Sequence, residues 1–249
     1  LQANVLILNI NSPGGTVSAT AELEQIIYEF KKSTNTKVYF YTKEILASGG
    51  YWVATSADKI FASYGSIIGS IGVSGPSWFY YDTPLSLSSG ILGQSIETKD
   101  GIEVYNQNAG EGKDLFNPYR RPKSNEIKHL QSIVDDVYYD FITKVSKSRK
   151  IEISNIIKDI GALIYSSSQA KNNFLIDDIL NYEGLIKLII EEEKFEDYKI
   201  YENKVNDSFL RNVISTFKNQ NSNEKIFENI CRNLETNISI VIPVYLNNC

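Results

Sequence analysis

The sequence predicts an α/β fold with a parallel sheet built from βαβ units, followed by a helical C-terminal part. Two patterns support that prediction. A nearly continuous apolar run, Val5-Leu6-Ile7-Leu8-Asn9-Ile10, has the composition of a strand buried on both faces and ends in the turn Asn11-Ser12-Pro13-Gly14-Gly15. Between Thr16 and Lys32, Val17, Leu23, Ile26, Ile27 and Phe30 recur at helical spacing, and a second strand-like run, Lys37-Val38-Tyr39-Phe40-Tyr41, comes next. Strand, helix and strand in that order make one βαβ unit.

The remaining elements follow in order. Leu46-Ala47-Ser48-Gly49-Gly50-Tyr51-Trp52 reads as a turn of small residues opening a short helix through Ala54, and strand-like pieces follow at Lys59 to Ala62 and Ile67 to Val73. From Ser74 to about Asp100 the chain is rich in Ser, Gly, Tyr and Phe without a period, which predicts a long surface loop or lid. Ser124, just after Pro122, is an N-cap for a helix with Ile127, Leu130, Val134, Val137, Phe141 and Val145 along one face. Further helices are predicted over Ile153 to Ile157, Ser167 to Asn172 and Tyr182 to Glu193. The Asn- and Lys-rich stretch after about Glu196 reads as a weakly specified tail, giving a domain of residues 1–195 and a tail of 196–249.

Composition narrows the function classes. A chain of 249 residues that is 42% hydrophobic has enough apolar surface for a substantial core. The formal net charge of -5 sets nucleic acid aside, because such partners call for a basic stripe. No apolar run approaches the roughly 20 residues of a membrane-spanning helix; Ile238 to Leu246 is interrupted by Pro243. Cys231 and Cys249 are compatible with one disulfide or two free thiols, and no metal-ligand spacing surrounds them. A start at Leu1 and the lack of any methionine lead us to expect a fragment whose upstream part, including any signal or anchor, is absent.

The candidate chemistry begins at Ser48. In a parallel sheet, successive strands end on the same edge, so the turn at Gly14-Gly15 and the turn at Ser48-Gly49 are expected side by side, with amides of Gly14 or Gly15 and of Gly49 facing one oxyanion. The single histidine, His129, falls off the apolar stripe of its helix and reads as a surface residue, so a serine nucleophile here needs another base. Lys113, in Gly110-Glu111-Gly112-Lys113-Asp114, is the candidate. A free lysine titrates near pH ~10.4, and burial has to lower that value before the amine can accept a proton at neutral pH. On composition alone Lys113 is one of 25 Lys and Arg residues and reads as a solvated loop lysine. Tyr51 and Trp52 are expected in the core, whereas Trp78, Phe79, Tyr80 and Tyr81 fit either lid packing or contact with substrate or membrane.

Four motifs stand in one order: Asn11-Ser12-Pro13-Gly14-Gly15, Ala47-Ser48-Gly49-Gly50-Tyr51, Gly69-Ser70-Ile71-Gly72-Val73 and Gly110-Glu111-Gly112-Lys113-Asp114. In that order the chain resembles the signal peptide peptidase A (protease IV, S49) family of serine proteases, over about residues 4–193. The resemblance implies a crotonase-like (ClpP-like) fold and a serine endopeptidase with a Ser/Lys dyad. Ser48 would be the nucleophile, Lys113 the general base, Gly14 and Gly49 the oxyanion hole, and Ser70 a hydrogen-bonding partner of the lysine. It also implies peptide substrates, signal peptides among them, homo-oligomeric rings or domes, membrane association through an upstream segment, and no metal or cofactor.

Three departures from the family pattern stand out. An insertion falls within residues 75–100, Phe174 stands where a small residue is usual, and upstream strands are missing, which predicts an exposed sheet edge. Two other readings keep the fold and change the function: an acyl-CoA-binding protein that uses the same amides for an enolate, and a non-catalytic scaffold.

Overall fold

The structure is a computed structural model, and it describes residues 3–80, 85–90, 93–97, 107–204 and 239–243. The chain divides into two compact units, one made of Leu1–Gly72 with Tyr139–Cys249 and the other of Val73–Tyr138.

The first unit opens with the expected βαβ element: β1 (Val5–Asn9), α1 (Val17–Thr34) and β2 (Lys37–Thr42). Thr16 caps α1 by accepting the Ala19 N–H, and Asn35, left-handed at φ 54°, ends it. β1 pairs in parallel with β2, and β2 with β4 (Lys59–Ala62), which in turn pairs with the short β9 (Asp178–Ile179). Side chains alternate across these strands. Val5, Ile7, Tyr39, Tyr41 and Phe61 face Leu185 and Ile189 of α6 (Tyr182–Glu193), and these seven residues form a buried cluster. Val38, Phe40 and Ile60, at the intervening positions, are buried as well. This accounts for the unbroken apolar reading of the strands, since a sheet covered on both faces has no polar side.

Expectation and structure part in several places. Beyond Glu196, β10 (Ile200–Lys204) and β11 (Ser239–Pro243) are strands rather than irregular tail, and β11 pairs antiparallel with β1 at Ile7↔Val241. The edge of β1 expected to lie open is therefore paired. Phe174 occupies a left-handed turn at φ 58° and is exposed, a position where a glycine would carry no steric cost. The predicted helix at Ile153 is a single helical turn, α4 (Ile153–Asn155), continued as a π-helical turn over Ile156–Ile160. α5 (Ser167–Asn172) and α6 match their predicted limits. Cys231, Cys249 and Tyr81 lie outside the described residues.

In the second unit, the stretch read as a loop or lid contains an antiparallel hairpin, β6 (Leu85–Gly90) with β7 (Gly93–Glu97). Its strands hold only three apolar residues, Leu85, Leu87 and Ile96, too few to mark two strands by pattern. The helix α3 (Ser124–Arg149) begins in this unit and ends in the first. Its stripe is half-buried at Leu130, Val134 and Val137 and buried at Phe141 and Val145, but Ile127 is exposed. Glu126, not Ile127, is the buried residue of the first turn.

Tyr51 and Trp52 are buried, as the sequence predicted. They belong to α2 (Gly49–Ala54), which is held by Tyr51 Oη donating to the Leu175 carbonyl at 2.7 Å and by Trp52 stacked on Phe141 at 4.9 Å between ring centroids. Trp52 Nε1 also donates to Glu24, which accepts from Lys144. Phe141→Ala should therefore cost about 3–5 kcal/mol of stability by urea titration, the usual penalty for emptying a buried phenylalanine site. A loss below about 1 kcal/mol would mean that Trp52 does not depend on this stacking.

Candidate active site

Three chain segments converge beside Ser48, all in the first unit. Past β1, Ser12 runs parallel to β3 (Ile45–Ala47): its N–H donates to the Ile45 carbonyl at 2.8 Å, and its carbonyl accepts the Ala47 N–H at 3.0 Å. Asn11 anchors this junction, its Oδ1 accepting from Thr42 Oγ1 and from the amides of Lys43 and Glu44. On the other side β3 pairs in parallel with β5 (Ile67–Gly69), which pairs antiparallel with β8 (Ile164–Ser166). The Pro-Gly-Gly turn, the serine turn and the Gly69-Ser70 turn therefore leave neighbouring strands at one level.

Ser48 sits at the N-cap of α2 with φ 51° and ψ -126°, a conformation that favours glycine and costs a side-chain-bearing residue about 1–3 kcal/mol. Both of its peptide groups are pinned. The Ser48 N–H donates to the Gly69 carbonyl at 2.9 Å, and the Ser48 carbonyl accepts the Trp52 N–H at 2.9 Å. The surrounding structure thus imposes the strain, and it holds the half-buried side chain on a sharp strand-to-helix turn.

Gly14 packs directly against this turn. A Cβ on Gly14 would stand 2.8 Å from Ser48 Cβ, 3.1 Å from Ser48 Oγ and 3.3 Å from the Gly49 nitrogen, and Gly14 has φ +128°. Its N–H donates to Ser12 Oγ at a long 3.2 Å. Gly49 is equally confined, since a Cβ there would meet Thr20 Oγ1 at 2.6 Å. The Gly49 amide lies in the first turn of α2, where N–H groups have no intrahelical acceptor. Ser70, at φ 51°, follows Gly69 and donates its N–H to the Leu163 carbonyl at 2.7 Å.

The structure thus brings Gly14, Ser48 and Gly49 into contact, with Ser70 one residue beyond the carbonyl that holds Ser48. Lys113 belongs to the second unit, in the turn Glu111–Phe116, and is exposed. His129 is exposed on α3. Among the described residues no group of three or more His, Cys, Asp or Glu side chains is placed to hold a metal, and no helix is long and apolar enough to cross a membrane.

Sequence reasoning passed over Ser12, which engages the Gly14 amide, and Thr20, whose hydroxyl closes the space over Gly49. Their only sequence signal is position: Ser12 within the strand-end turn, and Thr20 one helical turn past Thr16. It also passed over Arg120, which donates to both Asp114 and Glu126 beside the Lys113 turn.

The family model described as Peptidase family S49 matches residues 30–196. A protein of Methanocaldococcus jannaschii named "Putative protease MJ0651" is 31% identical over 204 residues, which is 80% of this chain and 61% of that protein. One of Enterococcus faecium named "Putative signal peptide peptidase SppA" is 31% identical over 200 residues, 80% of this chain and 54% of its own length. The chain thus spans between about half and three-fifths of these two relatives. Among solved structures, a point mutant of ClpP1 from Listeria monocytogenes overlaps 73% of this chain and 77% of its own at a TM-score of 0.44 and 16% identity. An overlap that loose bears on neither kinship nor function.

Proposed function

The chain belongs to peptidase family S49, and on that premise we propose that it is a serine endopeptidase with a Ser48/Lys113 dyad, acting on signal peptides or other unfolded apolar peptides. The observation that best supports this reading is the strained Ser48 turn packed against Gly14, a geometry with a fold-independent cost and an evident chemical use.

Ser48 Oγ attacks the scissile carbonyl while the neutral amine of Lys113 takes its proton. The amides of Gly14 and Gly49 stabilise the oxyanion, and the Ser70 hydroxyl orients the lysine. The resulting ammonium then protonates the departing amine, and water, activated by the same amine, hydrolyses the acyl ester. The proposal extends to a peptidase domain over residues 1–195, to whose sheet β10 and β11 add strands, to a ring or dome of identical subunits, and to action at a membrane. Lys113 is exposed in the single chain, so this reading requires an apolar cover that excludes water from its amine.

The test is labelling with a fluorophosphonate across pH 6 to 10, read by mass spectrometry on wild type and Lys113→Ala. Modification at Ser48 that rises with pH and slows about 10³-fold or more without Lys113 is expected. A folded protein that resists labelling, or one labelled equally well without Lys113, would refute the dyad.

A further inference from the structure

The turn bearing Lys113 is held weakly by its own backbone. It contains neither helix nor strand, and its internal N–H to carbonyl bonds, Lys113 to Gly110, Leu115 to Gly112 and Asn117 to Asp114, are 3.1–3.3 Å long. It also carries a left-handed non-glycine residue, Phe116 at φ 65°. A general base has to be held within fractions of an ångström of its target, because a misplacement of about 1 Å can cost 10²-fold in rate. Something outside the turn's backbone has to define it.

Arg120 has the means. Its Nε donates to Asp114 Oδ2 at 2.6 Å and its Nη2 to the Asp114 carbonyl at 3.2 Å, so it grips the residue next to Lys113 by both side chain and backbone. Nη2 and Nη1 donate to the two carboxylate oxygens of Glu126 at 2.8 and 2.9 Å, and Nη1 also donates to the Arg121 carbonyl at 3.1 Å. All five guanidinium protons are thereby engaged. Glu126 also accepts the Lys123 N–H at 2.8 Å, the back-bond that caps the first turn of α3, and its side chain is 6% exposed. The guanidinium lies 5.0 Å from the centroid of Trp78, whose ring packs on Phe116 and whose Nε1 donates to the Asn117 carbonyl at 3.1 Å. Pairing with Arg120 holds the Asp114 and Glu126 carboxyls below their ordinary pKa values, so both are ionised at neutral pH.

We infer that Arg120 is the positioning residue of Lys113, tying the lysine turn to the first turn of α3 and the Trp78 ring so that the base stands in place before substrate arrives. The inference rests on the assignment of Lys113 as general base. Lysine cannot replace it, because a single ammonium has three protons and no planar fork to span Asp114 and Glu126 together.

The test is the rate of fluorophosphonate labelling at Ser48 in the full chain, measured for wild type, R120A, K113A and R120A/K113A, with folding followed by circular dichroism. R120A should slow labelling about 10- to 100-fold, yet change the K113A rate by less than about twofold, because its effect passes through the lysine. Millimolar methylguanidinium should restore part of the R120A rate. Equal slowing in both backgrounds would assign Arg120 a purely structural role and overturn the inference, as would a wild-type rate in folded R120A. If R120A does not fold, R120K decides: an intermediate rate without rescue supports the inference, and a wild-type rate overturns it. K113A labelling at the wild-type rate would remove the base assignment and this inference together. Slow K113A beside normal R120A would remove the inference alone.

Discussion

Ser48→Gly is expected to abolish peptide hydrolysis and at the same time to make the protein more stable. Loss of the hydroxyl removes the nucleophile, an effect of about 10⁶-fold in kcat for a serine hydrolase. The gain comes from the backbone. At φ 51° and ψ -126° Ser48 sits in glycine's part of conformational space, and the strain of about 1–3 kcal/mol that its Cβ imposes disappears in glycine, offset in part by glycine's greater chain entropy when unfolded. A net increase of about 1 kcal/mol should appear in urea titrations. Ser48→Ala makes the control, equally inactive but without the stability gain, because alanine keeps the Cβ. Residual hydrolysis above about 1% in either variant would remove Ser48 from the chemistry. Equal stability of the two would show that the turn is not strained.

Gly14→Ala should reduce kcat about 10²–10³-fold or more, the loss expected when an oxyanion donor is displaced. The new methyl group would sit 2.8 Å from Ser48 Cβ and 3.1 Å from Ser48 Oγ, inside van der Waals contact, on a backbone whose φ of +128° already disfavours a side chain. The nucleophile, the Gly49 amide or the turn itself has to move. Gly15→Ala provides the contrast, because a Cβ there meets nothing within 4 Å. Its activity should stay within about twofold of wild type. Similar losses in the two variants would mean that the turn needs general flexibility rather than open space at residue 14.

How far the fold and site were legible in the sequence depends on the range of the signal. β1, β2 and the four-residue β4 declare themselves through short apolar runs and α1 through helical spacing, and Pro-Gly-Gly and Ala-Ser-Gly-Gly mark turns at strand ends. The three-residue strands β3 and β8 are too short for any period, yet β3 is what places Ser48 beside Ser12. The hairpin of β6 and β7 gives little signal because its strands hold only three apolar residues, and β11 gives little because pairing with β1 joins residues more than two hundred positions apart in sequence. Arg120 was invisible for another reason. One arginine in a loop looks like any other until Asp114 and Glu126, six residues to either side, turn towards it.

The grip of Ser12 on the Gly14 amide bears on when catalytic binding energy is released. That N–H is not idle; it is parked on a neutral hydroxyl at 3.2 Å. A peptide carbonyl and a hydroxyl are both neutral acceptors, so exchanging one for the other on arrival of substrate gains only the difference between two neutral hydrogen bonds. A tetrahedral oxygen bearing a full negative charge is a much stronger acceptor, and only against it does the exchange become favourable. Under the proposed chemistry, Ser12 therefore acts as a threshold: the Gly14 amide contributes little to substrate affinity and keeps its stabilisation for the moment at which the carbonyl oxygen becomes an anion.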